Sequence, residues 1–582
     1  MPASELALIT CFQTWVEAAR RHVGRLGSAE GEKYLADLRA ELARPLGGRE
    51  PRAPEDPVRC GLHDLRTRVA PVWRRRLDTA LMDRLRSRSG PAVPRVPNPI
   101  DHLATGRDTG PGPWAAELVA FGLRVGLSAE VAESPGFRAL RNAFCDVVLL
   151  LGREEARPEL PDDVVVLQRH SGHSREGARS ALDELLARRA HRFAELTGPE
   201  LPAVLAECRD PAQRDQLLRY SHGLQDWVAG LLAVRPEAAV VPATSPGPGR
   251  TAKRVRLPEL FMPFDTRRHP RLETARSRVR SWAREQGLLG SRSGHSFEAA
   301  DFPLLAALTG PEVDEDELAL TAEWQAWLWR ADDDLVAAVA RRREPGLPRA
   351  LHGLLRAEPA SAGTSGERAL ADLWRRSTAE LTARQQRELR VRLAELVERR
   401  VAELRGSPPH DPLELLASRR RSCGAEFTAA RLRHRHAGGL PAELFRTAPL
   451  RALAETFAEI SALHHDLFRF RAGEAVPEVV SAVADFLGCD PQQAVSLTAD
   501  LCTARLRRFE SLARPGAAAD FGLGPGDRAC LERYVRALQE WAAGELRWLA
   551  TTGRYAAAED RPRRIRRSLG RSHERSLRRA PS

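Results

Sequence analysis

The stretch "AEWQAWLWRADDDLVAAV", residues 322–339, carries three tryptophans at close helical spacing, then three adjacent aspartates, then an apolar run. Three like charges in a row repel one another. On a solvated helix face that repulsion costs little, so an isolated DDD reads first as wet surface. The other reading is a divalent-cation site at the mouth of an aromatic pocket. The rest of the chain decides between them.

Just upstream, "ELALTAEWQAW" from Glu317 matches "ELALITCFQTW" from Glu5, an offset of 312. "LRALAETF" from Leu450 matches "FRALRNAF" from Phe137 at 313, and "RYVRALQEWAAGEL" from Arg533 matches "RYSHGLQDWVAGLL" from Arg219 at 314. A register held within two residues over that distance indicates duplication of a whole domain, since the period is far longer than that of a solenoid. Between the halves, "PEAAVVPATSPGPGRTAKR" (236–254) is too rich in Pro, Gly, Ser and Thr for helix or core and reads as a linker. A second loose segment is "EPASAGTSGE" (358–367), with "GGREPRAPEDP" as its counterpart. Elsewhere apolar residues recur at three-and-four spacing, as in "ERALADLWRRSTAELTARQQRELRVRLAELVERRVAEL". The expected architecture is all-α: a helical bundle over 1–235, a linker over 236–256, a second bundle over 257–555 and a tail over 556–582. "LPELFMPFDTRRHPRLETARSRVRSWAREQGLL" from Leu257 has no counterpart in the first half, which is expected to lack its opening helices.

Composition agrees. The 582 residues suffice for roughly two to four domains. Lys33 and Lys253 are the only lysines, so the net charge of +12 is carried by arginine. Nine arginines against Glu559, Asp560 and Glu574 put about half of it in the tail "RPRRIRRSLGRSHERSLRR", expected to be disordered. The tail lacks the interleaved aromatics of a nucleic-acid binder, and no nucleic-acid partner is expected. The eight cysteines form no C-x-x-C pair, which argues against a zinc ribbon or disulfide framework. The first residues, "MPASELALITCFQTW", lack the basic start and long apolar core of a signal peptide, no run of roughly 18 apolar residues occurs, and a cytoplasmic location is expected. The histidine clusters at 170–173 and 433–436 read as solvated.

With the repeat in hand, the second half resembles the bacterial class I terpene synthases. "LPELFMPFDTRRHPRLETARSRVRSWA" is similar to their N-terminal segment, and "WLWRADDD" stands where they carry the aspartate-rich metal motif. "SRRRSCG" resembles R-R-x-T-x-G, "HHDLFRFRAGE" resembles the second metal motif N-D-x-x-S-x-x-x-E, and "LRWLATTGRY" resembles the C-terminal Arg-Tyr signature. Arg419 lies forty-six residues before His465, the family's spacing between its diphosphate-sensing Arg and the Asn of the second metal motif. The tandem layout is similar to that of germacradienol/geosmin synthases, although both metal motifs differ. The resemblance covers about 257–555, and more weakly 1–235. It implies two tandem class I terpene synthase-like bundles, the first truncated at its N-terminus.

By resemblance, the substrate is a prenyl diphosphate and the enzyme a carbon–oxygen lyase. Mg²⁺, a hard cation held by carboxylate oxygens, assists ionisation. Arginines fork onto the phosphate oxygens. The allyl cation left behind needs a dry aromatic cavity. The resemblance assigns Asp332, Asp333 and His465 to metal, and Asp466 and Arg469 to the diphosphate or its surroundings. Arg419 senses the diphosphate, Arg554 and Tyr555 close over it, and Ser422 and Cys423 form the backbone switch. Phe261, Phe264, Trp324, Trp327 and Phe457 are candidates for the cavity wall.

Departures qualify this. Ala337 stands where a third acid often sits. In the second motif His465 replaces Asn, Arg469 replaces Ser and Gly473 replaces the final Glu, with Glu474 one step late. His is a poor Mg²⁺ ligand beside an oxygen donor. Either the second metal cluster is gone, with fewer Mg²⁺ ions bound, or Arg469 supplies its charge and grips the diphosphate directly. In the first half, Arg20, Arg21 and His22 occupy the DDD positions and Gly106 that of Arg419. Gly152 and Arg153 stand for His465 and Asp466, and Val240 and Val241 for Arg554 and Tyr555. No class I activity is expected there, and packing against the second half is its expected role. The alternative for the whole chain is a non-catalytic prenyl-diphosphate-binding pseudoenzyme, or a structural partner of another synthase.

Overall fold

The computed structural model describes residues 3–26, 28–43, 56–86, 96–152, 163–171, 174–234, 255–289, 293–341, 364–406, 409–473, 478–514 and 521–555. Outside them lie the tail 556–582, the expected linker apart from Val255 and Arg256, residues 358–363, Arg153, Val240, Val241 and Glu474. Among the described residues all regular structure is helical. None of these helices is long and apolar enough to cross a membrane. None of the eight cysteines forms a disulfide.

The described residues divide into two compact units. One lies within Met1–Gly249 and takes in Phe486–Gly488; the other lies within Arg250–Asp485 and Cys489–Ser582. The first contains α1 (Ala3–Arg25), α2 (Ser28–Ala43), α3 (Pro57–Thr67), α4 (Pro71–Arg86), α5 (Pro99–Thr109) and α6 (Pro111–Leu123). It continues with α7 (Ala129–Ala132), α8 (Pro135–Leu151), α9 (Asp163–Ser171), α10 (Arg175–Thr197), α11 (Leu201–Ala206) and α12 (Pro211–Val234). The second runs through α13 (Leu272–Glu285), α14 (Ser293–Ala300), α15 (Phe302–Thr309), α16 (Glu315–Ala340), α17 (Ser365–Thr378) and α18 (Ala383–Arg405). Then come α19 (Pro412–Ser422), α20 (Ala425–Ala437), α21 (Ala448–Ala472), α22 (Val479–Leu487), α23 (Pro491–Leu512) and α24 (Pro525–Thr551).

The two units share one helix order. Helices begin at 3 and 315, 71 and 383, 99 and 412, 111 and 425, 135 and 448, and 211 and 525, at offsets of 312 to 314, and at 163 and 479 and 175 and 491, at 316. Helices α13 to α15 have no counterpart in the first unit. One helix differs in length where function is at stake. α8 ends at Gly152, whereas α21 continues through His465, Asp466 and Arg469 to a cap at Gly473.

Local chemistry explains how α16 delivers its residues. The Asp314 carboxylate accepts from the Glu317 amide at 2.8 Å, and Glu315, Asp316 and Glu317 face the positive end of the helix dipole. Trp324 and Trp327 then enter the core of the second unit beside Leu373, Leu393, Phe427 and Trp548. Their indole N–H groups are satisfied, Trp324 by Ser377 Oγ at 2.7 Å and Trp327 by the Gly366 carbonyl at 2.9 Å. Anchored by that core, α16 carries its aspartates to the rim. Between α19 and α20 the chain turns at Gly424, whose φ of 89° lies in the left-handed region that side chains disfavour.

Candidate active site

A cavity lies in the second unit among α16, α18, α19, α20, α21 and α24. Part of its wall is aromatic and apolar, with Trp327, Leu328, Trp329 and Trp541. The rest is charged, with Asp332, Arg400, Arg419, His465, Arg469 and Glu545.

The charged residues form an alternating chain. Arg469 Nη2 lies 3.8 Å from Asp332 Oδ2. Asp332 Oδ1 accepts from Arg400 Nε at 2.6 Å. Arg400 Nη1 lies 3.2 Å from Glu403, and Glu403 accepts from Arg419 Nη1 at 3.0 Å. Arg419 donates through Nε and Nη2 to Asp466 Oδ1 at 3.1 and 2.8 Å. Asp466 and Arg469 are both on α21, three residues apart, so the chain returns to its starting helix. Three carboxylates therefore face three guanidinium groups.

This balance sets the ionisation of the site. Burial acts to raise the pKa of Asp332, but Arg400, then Arg469 and Arg419, outweigh it and hold the carboxyl below its usual range. Glu403 is lowered in the same way, against burial, by Arg419 and Arg400. The burial that disfavours charged Arg419 is outweighed by Asp466 and Glu403, so its pKa lies well above the ordinary value. At the rim Arg554 Nη2 contacts Asp333 Oδ1 at 3.3 Å, and its guanidinium lies 3.9 Å over the Trp329 ring. Burial raises the pKa of Asp333, with Arg554 offsetting only part. His465 Nε2 sits 3.2 Å from Glu545 Oε1 and its Nδ1 3.4 Å from the Tyr555 hydroxyl. Ser461 also donates to Glu545 Oε1, at 3.1 Å.

Asp332, Arg419, Ser422, Cys423, His465, Arg469 and Trp327 thus share one cavity wall. Asp466 lies fully buried behind Arg419, with its second oxygen accepting from the Val479 amide at 3.1 Å. Cys423 caps α19, and burial pushes its thiol up to about 12.

Four expected wall residues lie elsewhere. Phe261 is exposed under the Arg507 guanidinium, and Phe264 packs on Phe509. Both precede α13 in an irregular segment whose Arg256 backbone pairs with the Gln492 side chain on α23. Trp324 is sealed in the core against Phe427 and Trp327. Phe457 sits one turn before Ser461 on α21 and is packed into the core, 1% exposed. A further correction concerns His434. It is 9% exposed, and burial lowers the pKa of both His434 and His436 to about 4, so that cluster is not solvated.

Arg400, Glu403, Trp329, Trp541 and Glu545 had no place in the sequence-based site. Two of them, Arg400 and Glu545, nonetheless carry a signal. Leu389, Leu393, Leu396, Val397 and Arg400 form one buried stripe on α18, so the arginine occupies an apolar-stripe position. Glu545 does the same on α24, between Trp541 and Trp548.

The cluster was tested against Mg²⁺, which needs oxygen ligands. Both Asp332 oxygens face guanidinium groups, and both His465 ring nitrogens have partners. Arg469 adds fixed positive charge where an ion would sit, and Gly473, at φ 68°, ends α21 where the motif's last acid belongs. Among the described residues, no group of three or more His, Cys, Asp or Glu is arranged to hold a metal. The residues do not fit a protein-held magnesium cluster.

In the first unit the corresponding place is filled. A β-carbon on Gly106, the position of Arg419, would lie 2.3 Å from Leu149 Cδ2. Arg107 donates to Asp146 at 2.7 and 2.8 Å, and Arg189 at 2.8 Å. That trio is a structural knot rather than a surviving sensor. Arg107 and Asp146 align with Arg420 and Glu459 at an offset of 313, and Arg189 with Arg505 at 316; there Arg505 donates to Glu459 at 2.6 Å and Arg420 lies 3.7 Å away.

The family "Terpene synthase family 2, C-terminal metal binding" matches residues 23–192 and 323–508, once in each unit and over more than half of the chain. The chain is 28% identical over 344 residues to pristinol synthase from Streptomyces pristinaespiralis, covering 54% of this chain and 87% of that protein. It is 23% identical over 317 residues to 7-epi-alpha-eudesmol synthase from Streptomyces viridochromogenes, covering 51% and 92%. Among solved structures, it is similar to germacradien-4-ol synthase from Streptomyces citricolor, with 25% identity, 50% and 97% coverage and a TM-score of 0.45. The duplicated all-α chain belongs to terpene synthase family 2, a family of bacterial class I terpene synthases.

Proposed function

We propose that the second unit binds a prenyl diphosphate in the Trp-lined cavity and ionises it, with guanidinium groups carrying charge that a metal cluster carries elsewhere in the family. The carrying observation is the placement of Arg400, Arg419 and Arg469 along one wall of a cavity otherwise lined by Trp327, Trp329 and Trp541. Without ligand, Asp332 pairs with Arg400 and lies 3.8 Å from Arg469. In this reading both turn from Asp332 to the diphosphate, and Arg554 closes from the rim. The allylic C–O bond breaks and its electron pair leaves with the diphosphate, where charge-assisted N–H donors stabilise it. The allyl cation stays against the indole faces. No step is assigned to Mg²⁺.

The second reading is a binder without turnover. The closed, charge-balanced chain from Arg469 to Asp466 favours it, because a diphosphate must displace carboxylates to enter. The test incubates the full chain with geranyl, farnesyl and geranylgeranyl diphosphates, with and without Mg²⁺, and reads volatile products by gas chromatography. Product with weak Mg²⁺ dependence supports ionisation by arginine. Binding without product supports the second reading, and neither binding nor product rejects both.

A further inference from the structure

The first unit keeps a cavity of its own between α1, α6, α8 and α12. Part of its wall corresponds to that of the second-unit cavity. Gln13, Val16 and Trp227 line it where Gln325, Leu328 and Trp541 line the other, at offsets of 312, 312 and 314. Agreement at that register means that the hollow is the same hollow, inherited by both units.

What changed is polarity. Val148, Gly152 and Leu231 stand where Ser461, His465 and Glu545 stand, so three polar or charged groups have become apolar or absent. Among the described residues, no arginine, lysine or histidine lines the first cavity. Its one carboxylate, Glu17, is 3.6 Å from Arg20, and Gln13 accepts from the Trp114 indole at 3.2 Å. The place of the diphosphate sensor is packed shut by Leu149 against Gly106. An anion entering this space would lose its hydration and meet no cationic side chain among the described lining residues. An uncharged apolar molecule would gain burial against Trp114, Trp227 and Val148.

We propose that the first unit is a binding site for an uncharged, prenyl-sized hydrocarbon or alcohol. The site keeps the chain-holding half of an ancestral prenyl-diphosphate pocket and has lost the charged half. The prenyl size class rests on the reading of the second-unit cavity given above. The absence of cationic lining residues and the closed sensor position do not.

The test uses the full chain and two probes, farnesol bearing a diazirine and unmodified farnesyl diphosphate. Photolysis followed by peptide mass spectrometry locates the label. The expected result is label on segments around Trp114, Val148 and Trp227, undiminished by excess farnesyl diphosphate. Val148→Phe, which fills the hollow, should abolish first-unit label while circular dichroism and the melting curve remain those of a folded protein. Should that variant unfold, wild type decides by competition, since unlabelled farnesol must remove the first-unit label. Label confined to the second unit, no saturable label, or first-unit label displaced by farnesyl diphosphate overturns the proposal. Failure of farnesyl diphosphate to bind anywhere, with first-unit label intact, overturns only the second-unit reading.

Discussion

Asp332 on α16 and Arg400 on α18 form a 2.6 Å ion pair at the position where the sequence motif suggested a metal ligand. The aspartate is spent on a guanidinium, and Arg469 approaches its other oxygen. Whatever diphosphate chemistry occurs here begins from a site that the protein has already neutralised.

Asp332→Asn should therefore destabilise the second unit. It leaves Arg400, 4% exposed, without its full partner, a loss of about 3 kcal/mol. Urea unfolding at pH 7 measures it. The native pKa of Asp332 is depressed, so its contribution is present above the unfolded value and is lost as pH falls through the native one. Wild type and Asp332→Asn should converge in strongly acidic buffer. Equal stabilities at pH 7 would mean that the pair contributes nothing.

His464 predicts a second pH effect. It is fully buried on α21, and burial lowers its pKa to about 4, with Glu545 opposing and His465 reinforcing the shift. The unfolded chain binds the proton near pH 6.5, the native state only near 4, so stability drops as pH falls between them. The total from this residue is about 3 kcal/mol. His464→Leu should flatten the slope of denaturation midpoints measured at pH 7, 6 and 5. An unchanged slope would assign the acid sensitivity to His434 and His436 instead.

Arg469 separates replacement of a metal cluster from its loss. Under the proposed function, Arg469→Ser lowers turnover by about 2–4 kcal/mol of transition-state stabilisation. The combination His465→Asn, Arg469→Ser and Gly473→Glu rebuilds the motif in sequence only. Position 473 has a φ of 68°, and a side chain there costs roughly 1–2 kcal/mol of stability. Turnover across an Mg²⁺ titration reads the outcome. A triple variant more active than wild type, with restored Mg²⁺ dependence, would show that Arg469 is a lesion.

In the first unit, Gly106→Ala should cost about 1–3 kcal/mol, because the added methyl meets Leu149 in a filled space. Gly106→Ala combined with Leu149→Ala should recover part of that loss. Thermal unfolding followed by circular dichroism measures both, and a neutral Gly106→Ala would mean that the sensor position is still open.

The duplication was readable from the chain because a repeat register is linear: matches at Glu5, Phe137 and Arg219 already aligned α1, α8 and α12 with α16, α21 and α24. Helical periodicity is local for the same reason, and it delivered the all-α class. Arg419, His465 and Arg469 were marked by motif spacing, which also depends only on order along the chain. Pairing across helices was hidden. Nothing near Asp332 in sequence indicates that Arg400, sixty-eight residues on, takes its carboxylate. Nor does the motif show that Glu545 holds His465 across eighty residues. Aromatic residues were the hardest to place, because Trp324 and Trp329 look alike in a string. One turn and a half of α16 separates them, and helix rotation alone sends the first into the core and sets the second under Arg554. Sequence determined which helices exist and in what order, since those follow from local propensity and spacing. Which charges cancel, and which ring faces the cavity, was decided only when the helices packed, because those are contacts between distant segments.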